Sequence, residues 1–273
     1  MTGHLVRRAL AEFVGTALLV LFGAGAVVAA TTAGGGRLDY AGLGIVGLSF
    51  AVAIAVAVYA FGPISGAHIN PAVTVSLALV RRFRWRDVPA YIVAQLAGAV
   101  VAALLLVAIY GRGAAAGSGV GMTAVSPGVG YIRGIVGEAL GTFLLLTAVM
   151  ALAVDRRAPV GWAGLMIGLS VAGGIFMLGP VTGGSLNPAR TFGPYVANSL
   201  FGGATPWREL IVYVVGPLLG GALAVLAYEL VARPSAVAAG EAVEGAQVAD
   251  ARPAAGGRAA GGPPRPAGGT AGG

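Results

Sequence analysis

Six apolar stretches fix what this chain can fold into. They run near Val6–Ala30, Ala41–Phe61, Val88–Tyr110, Tyr131–Val154, Gly161–Gly179 and Trp207–Val231. About 20 residues of helix cross a bilayer core, so each stretch is long enough. In hydrocarbon, a backbone N–H or C=O without a partner costs several kcal/mol, and only helices and closed barrels span. Runs of this length predict helices. Composition agrees: 57% of the residues are apolar and 10% charged, against about 25% charged for a soluble domain. The first stretch carries Glu12 and outruns the roughly 7–15-residue apolar core of a signal peptide, so it is expected to remain as a span.

The net charge is +7, and all 17 basic residues are Arg. A nucleic-acid binder would gather this charge on a soluble face. Here it sorts by loop. Arg7, Arg8, Arg81, Arg82, Arg84, Arg86, Arg156, Arg157 and Arg233 fall on one side of the membrane. Arg37, Arg112, Arg133 and Arg208 fall on the other, with Arg190 set aside. The bias predicts cytoplasmic termini, a multi-pass protein of the plasma membrane and no nucleic-acid partner. Trp85, Trp162 and Trp207 sit at span ends, where an aromatic belt belongs. There is no cysteine, and His4 and His68 are too few for a metal cluster. No nucleophile–base pair stands out either, so neither a metal, a cofactor nor an enzymatic activity is expected.

Two of the three asparagines open the same tripeptide, Asn70-Pro71-Ala72 and Asn187-Pro188-Ala189. Asn is a favoured helix N-cap, and Pro is favoured at the first helical position. Each tripeptide therefore starts a helix, and each does so between spans. Both belong to a longer repeat: Glu12, Gly15-Thr16, a span, then Asn70; and Glu138, Gly141-Thr142, a span, then Asn187. Each half holds three spans, so the second half inserts upside down relative to the first. Such inverted repeats bring discontinuous helices together at the bilayer midplane. The stretch Pro71–Leu79 spans roughly 13 Å as helix, so two such pieces end to end roughly match the hydrocarbon thickness. Residues 1–232 form the spanning domain, with repeats of about 1–115 and 116–232. Residues 233–273, rich in Ala, Gly and Pro, read as a disordered tail.

Helix N-termini carry about half a positive charge. Two of them aimed at one point, capped by Asn70 and Asn187, repel cations. The side-chain amides donate to a passing water and interrupt a proton relay. The loops Gly62–Ile69 and Gly179–Leu186 lead into the caps, and irregular backbone at this depth is tolerated only where buried or lining a wet cavity. The backbone of Gly66, Ala67, His68, Ile69, Gly183 and Ser185 is therefore expected along a pore. Glu12 and Glu138, inside spans, need partners, and the N–H groups of these loops are suitable ones.

These residues closely resemble the aquaporin (major intrinsic protein) family. The resemblance rests on Ala11-Glu12-Phe13-Val14-Gly15-Thr16, Ser65-Gly66-Ala67-His68-Ile69-Asn70-Pro71-Ala72-Val73, Ala94-Gln95-Leu96-Ala97-Gly98 and Ser185-Leu186-Asn187-Pro188-Ala189-Arg190, and it covers about residues 5–232. It implies an all-α membrane protein: a right-handed bundle of six tilted helices with two re-entrant half-helices, a pore in each protomer, and a homotetramer in the lipid bilayer. It also implies an outer aromatic/arginine filter, whose four positions fall on Phe50, Ile175, Gly184 and Arg190. Strict water channels resemble one another in having His where this chain has Ile175. Glycerol channels resemble one another in Trp at the Phe50 position, a second aromatic at the Gly184 position and Asp where Thr191 stands. The set here resembles the archaeal-type members, which implies water conduction first, with some passage of small neutral solutes. A glycerol, urea or ammonia facilitator is the alternative. An ion-coupled transporter shares the inverted repeat but would need titratable groups along its path, and only Glu12 and Glu138 qualify.

Overall fold

The computed structural model describes residues 3–232, with side chains omitted at 114–116. The tail expected over 233–273 lies outside the described residues. Eight α-helices follow in order: α1 (Gly3–Ala33), α2 (Tyr40–Ser65), α3 (Pro71–Leu79), α4 (Val88–Ser118), α5 (Tyr131–Val149), α6 (Ala163–Thr182), α7 (Pro188–Leu200) and α8 (Leu210–Val231). A π-helical turn, Met150–Val154, extends α5, and non-helical Gly111 interrupts α4. No strand occurs among the described residues. Six of the helices are long and apolar enough to cross a membrane. The remaining two, α3 and α7, are the short helices opened by the Asn-Pro-Ala tripeptides.

The packing repeats with the sequence. Helix α1 packs on α2 and α4, as α5 packs on α6 and α8. Helix α3 lies against α8, and α7 against α4, so each short helix docks on the other half. Helices α2 and α6 cross between the halves. The closest approaches also repeat. A Cβ on Gly98 of α4 would fall on the carbonyl of Phe13, and one on Gly220 of α8 on the carbonyl of Ala139. Only Gly lets backbones meet this closely, the rule of small residues between membrane helices. Outward faces are apolar: Phe22, Val52, Ile109, Ile132 and Leu223 are exposed, as lipid-facing side chains are.

The structure moves two expected boundaries. The Gly-Pro pairs at 62–63 and 179–180 do not end their helices; α2 continues to Ser65 and α6 to Thr182. A proline removes one backbone donor and, near a helix end, leaves the rest of the ladder standing. The stop comes at Gly66 (φ +91°) and Gly183 (φ +80°), left-handed caps that glycine adopts without steric cost. Likewise α7 runs 13 residues where α3 runs nine. Its end awaits the turn at Phe201-Gly202, whereas α3 ends before left-handed Arg81.

The arginine-rich end of the bundle is tied down by polar contacts. Buried Asp87 accepts from Arg8 and Arg84, and Arg82 pairs with Glu229 of α8. Asp155 accepts from Arg157 and from Tyr228. The Arg157 hydrogen bonds hold the Asp155 carboxyl well below the usual carboxylate range.

Candidate functional site

The two short helices start face to face. Asn70 Oδ1 accepts from the N–H of Ala72 at 2.9 Å, and Asn187 Oδ1 from Ala189 at 3.0 Å and Arg190 at 3.3 Å. These are N-cap bonds, with Pro71 and Pro188 at the first helical position. The amide nitrogens reach across. Asn70 Nδ2 donates to the Leu186 carbonyl at 2.8 Å, and Asn187 Nδ2 donates to the Ile69 carbonyl at 2.9 Å. An amide NH2 carries two donors, so each Asn keeps a second N–H beyond this tether.

The carbonyls they hold belong to strained residues. Ile69 (φ +44°) and Leu186 (φ +55°) are bulky side chains in the left-handed region, and Ala67 (φ +45°) joins them. Such conformations cost of order 1–3 kcal/mol each and persist only when the surroundings over-determine them. The surroundings here are two buried carboxyl groups. Glu12 accepts from the N–H of His68 at 2.9 Å and of Ile69 at 2.6 Å, from Ser65 Oγ at 2.7 Å and from Gln95 Nε2 at 2.8 Å. Glu138 accepts from the N–H of Ser185 at 3.0 Å and of Leu186 at 2.7 Å, and from Thr182 Oγ1 at 2.7 Å. Loop N–H groups thus bind both carboxyl groups. Tyr91 donates to the Ser65 carbonyl, and Tyr213 to the Thr182 carbonyl, so the start of each loop is clamped too.

A cavity of about 380 Å³ runs along this backbone. Gly66, Ala67, His68, Ile69, Asn70, Ser185 and Asn187 all reach its wall. Gly183 sits behind, at the end of α6 against Thr123. The opposite wall is apolar, with Ile54, Val58, Val149 and Val171, and Arg82 and Arg156 stand at the arginine-rich mouth. Phe50 lines the cavity as well.

Of the other three positions expected for a filter, Arg190 lies against Phe50, and Gly184 and Ile175 lie against each other. The Arg190 guanidinium carbon lies 5.1 Å from the centre of the Phe50 ring, and Arg190 Nη1 donates to the Gly121 carbonyl at 2.7 Å. Arg190 Nε is buried with no protein partner, so a donor is held in reserve. Gly184 (φ +61°) packs against Ile175: a Cβ there would sit 3.0 Å from the Ile175 Cα. Arg190 and Ile175 are 2% and 1% exposed, so this guanidinium is enclosed by protein.

Tyr91, Tyr213, Gly121 and Thr123 were not visible as site residues in the sequence. The two tyrosines carried a signal, since each lies a similar distance before a Gly of helix contact in its half. Gly121 and Thr123 carried none.

The model of the family described as Major intrinsic protein matches residues 2–228. The chain belongs to this family. Aquaporin AqpM of Methanothermobacter thermautotrophicus is 48% identical over 238 residues, covering 82% of this chain and 97% of that protein. Probable aquaporin AqpM of Archaeoglobus fulgidus is 47% identical over 246 residues, covering 85% of this chain and all (100%) of that protein. Aquaporin TIP4-4 of Zea mays is 44% identical over 226 residues, covering 82% of this chain and 86% of its own. Among solved structures, the X-ray structure of the aquaglyceroporin from Plasmodium falciparum matches with a TM-score of 0.67 at 24% identity, covering 84% of this chain and 98% of that one. At that identity the likeness speaks for the fold. Members of the major intrinsic protein family are channels, and this one is a multi-pass membrane protein.

Proposed function

We propose that this chain is a passive transmembrane channel for water that excludes protons and ions and lets small neutral solutes through slowly. The observation that carries the reading is the pair of facing N-caps on one continuous cavity. Each Asn amide spends one N–H on the opposite loop and offers the other to the pore. A water between them accepts twice, and its oxygen is then unavailable to a neighbouring water's proton. Two positive helix ends raise the cost of any cation at the same point. The homologues named aquaporin support water as the solute.

In this reading, Phe50, Ile175, Gly184 and Arg190 form the selectivity filter, and the backbone from Gly66 to Ile69 and at Ser185 supplies the acceptors. Repeats of about 1–115 and 116–232 insert with opposite polarity, which the repeated packing supports. The arginine-rich end faces the cytoplasm, with both termini, in the plasma membrane. Protomers assemble as a homotetramer, each with its own pore.

A facilitator of glycerol, urea or ammonia is the second reading. It is favoured by the apolar Ile175 wall and the side-chain-free Gly184. Stopped-flow swelling of proteoliposomes separates the two: water flux well above that of empty vesicles, with slower glycerol flux, is expected. Glycerol flux without accelerated water flux would reverse the order.

A further inference from the structure

We propose that the segment Gly119–Ser126 is a strap that sets the filter geometry, with Thr123 and Glu209 as its positioning residues. The inference rests on the reading of Arg190 as a filter residue.

The strap begins with three consecutive left-handed residues: Gly119 (φ +59°), Val120 (φ +55°) and Gly121 (φ +69°), all buried. Val120 adopts this conformation against its side-chain preference, so something holds it there. The product of the turn is the Gly121 carbonyl, aimed at Arg190 Nη1 at 2.7 Å. Downstream, Thr123 is clamped twice. Its carbonyl accepts from Tyr195 at 3.0 Å, and its hydroxyl meets Thr191 Oγ1 at 2.9 Å. Thr191 Oγ1 lies 2.6 Å from Ser185 Oγ, and Ser185 Oγ donates to the Asn187 carbonyl at 2.9 Å. A carbonyl only accepts, so the proton order is fixed. Ser185 gives its proton to Asn187, Thr191 gives to Ser185, and Thr123 gives to Thr191.

This directed chain joins the strap to the pore loop on one side of Gly184 and to the residue after Arg190. The far end is fastened separately. The N–H of Val125 donates to the Glu209 carboxylate at the start of α8 at 2.7 Å, and that of Ser126 to the Val181 carbonyl at 2.9 Å. Thr123 thus sits between the acceptor that aims Arg190 and the anchor that fixes the strap. None of Thr123, Glu209, Arg190 and Gly184 lines the cavity described above; Thr123 and Glu209 act on the filter through their contacts with Thr191 and Val125.

The test uses the full chain in proteoliposomes and reads the ratio of glycerol to water permeability. Thr123→Val keeps the shape and removes the hydroxyl; Glu209→Ala frees the far end. Each is expected to raise the ratio about fivefold, the factor that one net hydrogen bond is worth. Thr123→Ser and Glu209→Gln keep a hydroxyl and an acceptor oxygen, and are expected to hold the wild-type ratio. If Thr123→Val does not fold, Glu209→Ala decides. An unchanged ratio in a conducting wild-type background, or two fluxes that fall in step, overturns the strap and leaves the channel standing. A wild type that conducts neither solute overturns both.

Discussion

Asn70 and Asn187 hold each other's loops: the side-chain amide of each donates to the carbonyl that precedes the other. The two loops are therefore joined by a reciprocal tether as well as capped at their helices. Each carbonyl belongs to a left-handed residue whose N–H is held by a buried Glu. The proposed barrier is a backbone knot fastened from both halves.

Replacing Asn70 or Asn187 with Asp keeps the capping oxygen and loses the donor. A carboxylate oxygen would then face the Leu186 or Ile69 carbonyl, two acceptors in contact. We expect a loss of roughly 1–3 kcal/mol of stability, the cost of an unmade buried bond. Thermal unfolding in detergent measures it. Vesicles with a pH-sensitive dye should also show a proton leak that the wild type lacks.

Glu12 accepts four hydrogen bonds and Glu138 three. Gln at either site turns one acceptor oxygen into a donor aimed at N–H groups. Glu12→Gln should therefore lower stability more than Glu138→Gln, each by roughly 1–3 kcal/mol per bond broken. Equal shifts in melting temperature would contradict the count.

Arg190 sets its guanidinium over the Phe50 ring and makes a directed bond to Gly121. Lys offers a point charge on a flexible stem and reproduces neither. Arg190→Lys and Arg190→Ala should both loosen solute discrimination, and only Ala should add a cation leak. Glycerol flux and a sodium-loaded vesicle assay read the two effects separately.

Ile175 presents an apolar wall beside Gly184. His there would add a hydrogen-bonding group beside Gly184. Ile175→His should lower glycerol permeability more than water permeability. Equal losses would point to simple obstruction.

A Cβ at Gly220 collides with the Ala139 carbonyl, while one at Gly62 meets nothing within 4 Å. Gly220→Ala must push α5 and α8 apart and should cost on the order of 1–3 kcal/mol, the usual toll of overpacking. Gly62→Ala, within α2, should be neutral or stabilise by up to ~1 kcal/mol. The two melting temperatures should move in opposite directions or differ clearly.

The helices and the caps were legible because their causes are local. Apolar runs must be helical in lipid, Asn-Pro opens a helix, and a Glu within a span needs donors. The Gly-Pro ends of α2 and α6 misread for the same reason: a local breaker yields when the remaining ladder and a downstream Gly cap are stronger. Thr123, Gly121 and Glu209 were not legible, since their roles depend on partners far along the chain: Thr191, Arg190 and Val125.

By itself the sequence determined that six helices span, that two more start inside, and that the two halves repeat. These follow from hydrophobicity, capping and pattern, which act over a few residues. Only the tertiary structure decided that each Asn amide binds the opposite loop, that Ile69 and Leu186 are held left-handed, and that Arg190 donates to the Gly121 carbonyl between α4 and α5. The first joins opposite halves of the chain, and the others join residues far apart within one half. They arise because buried polar groups in a bundle must find partners wherever the packing places them.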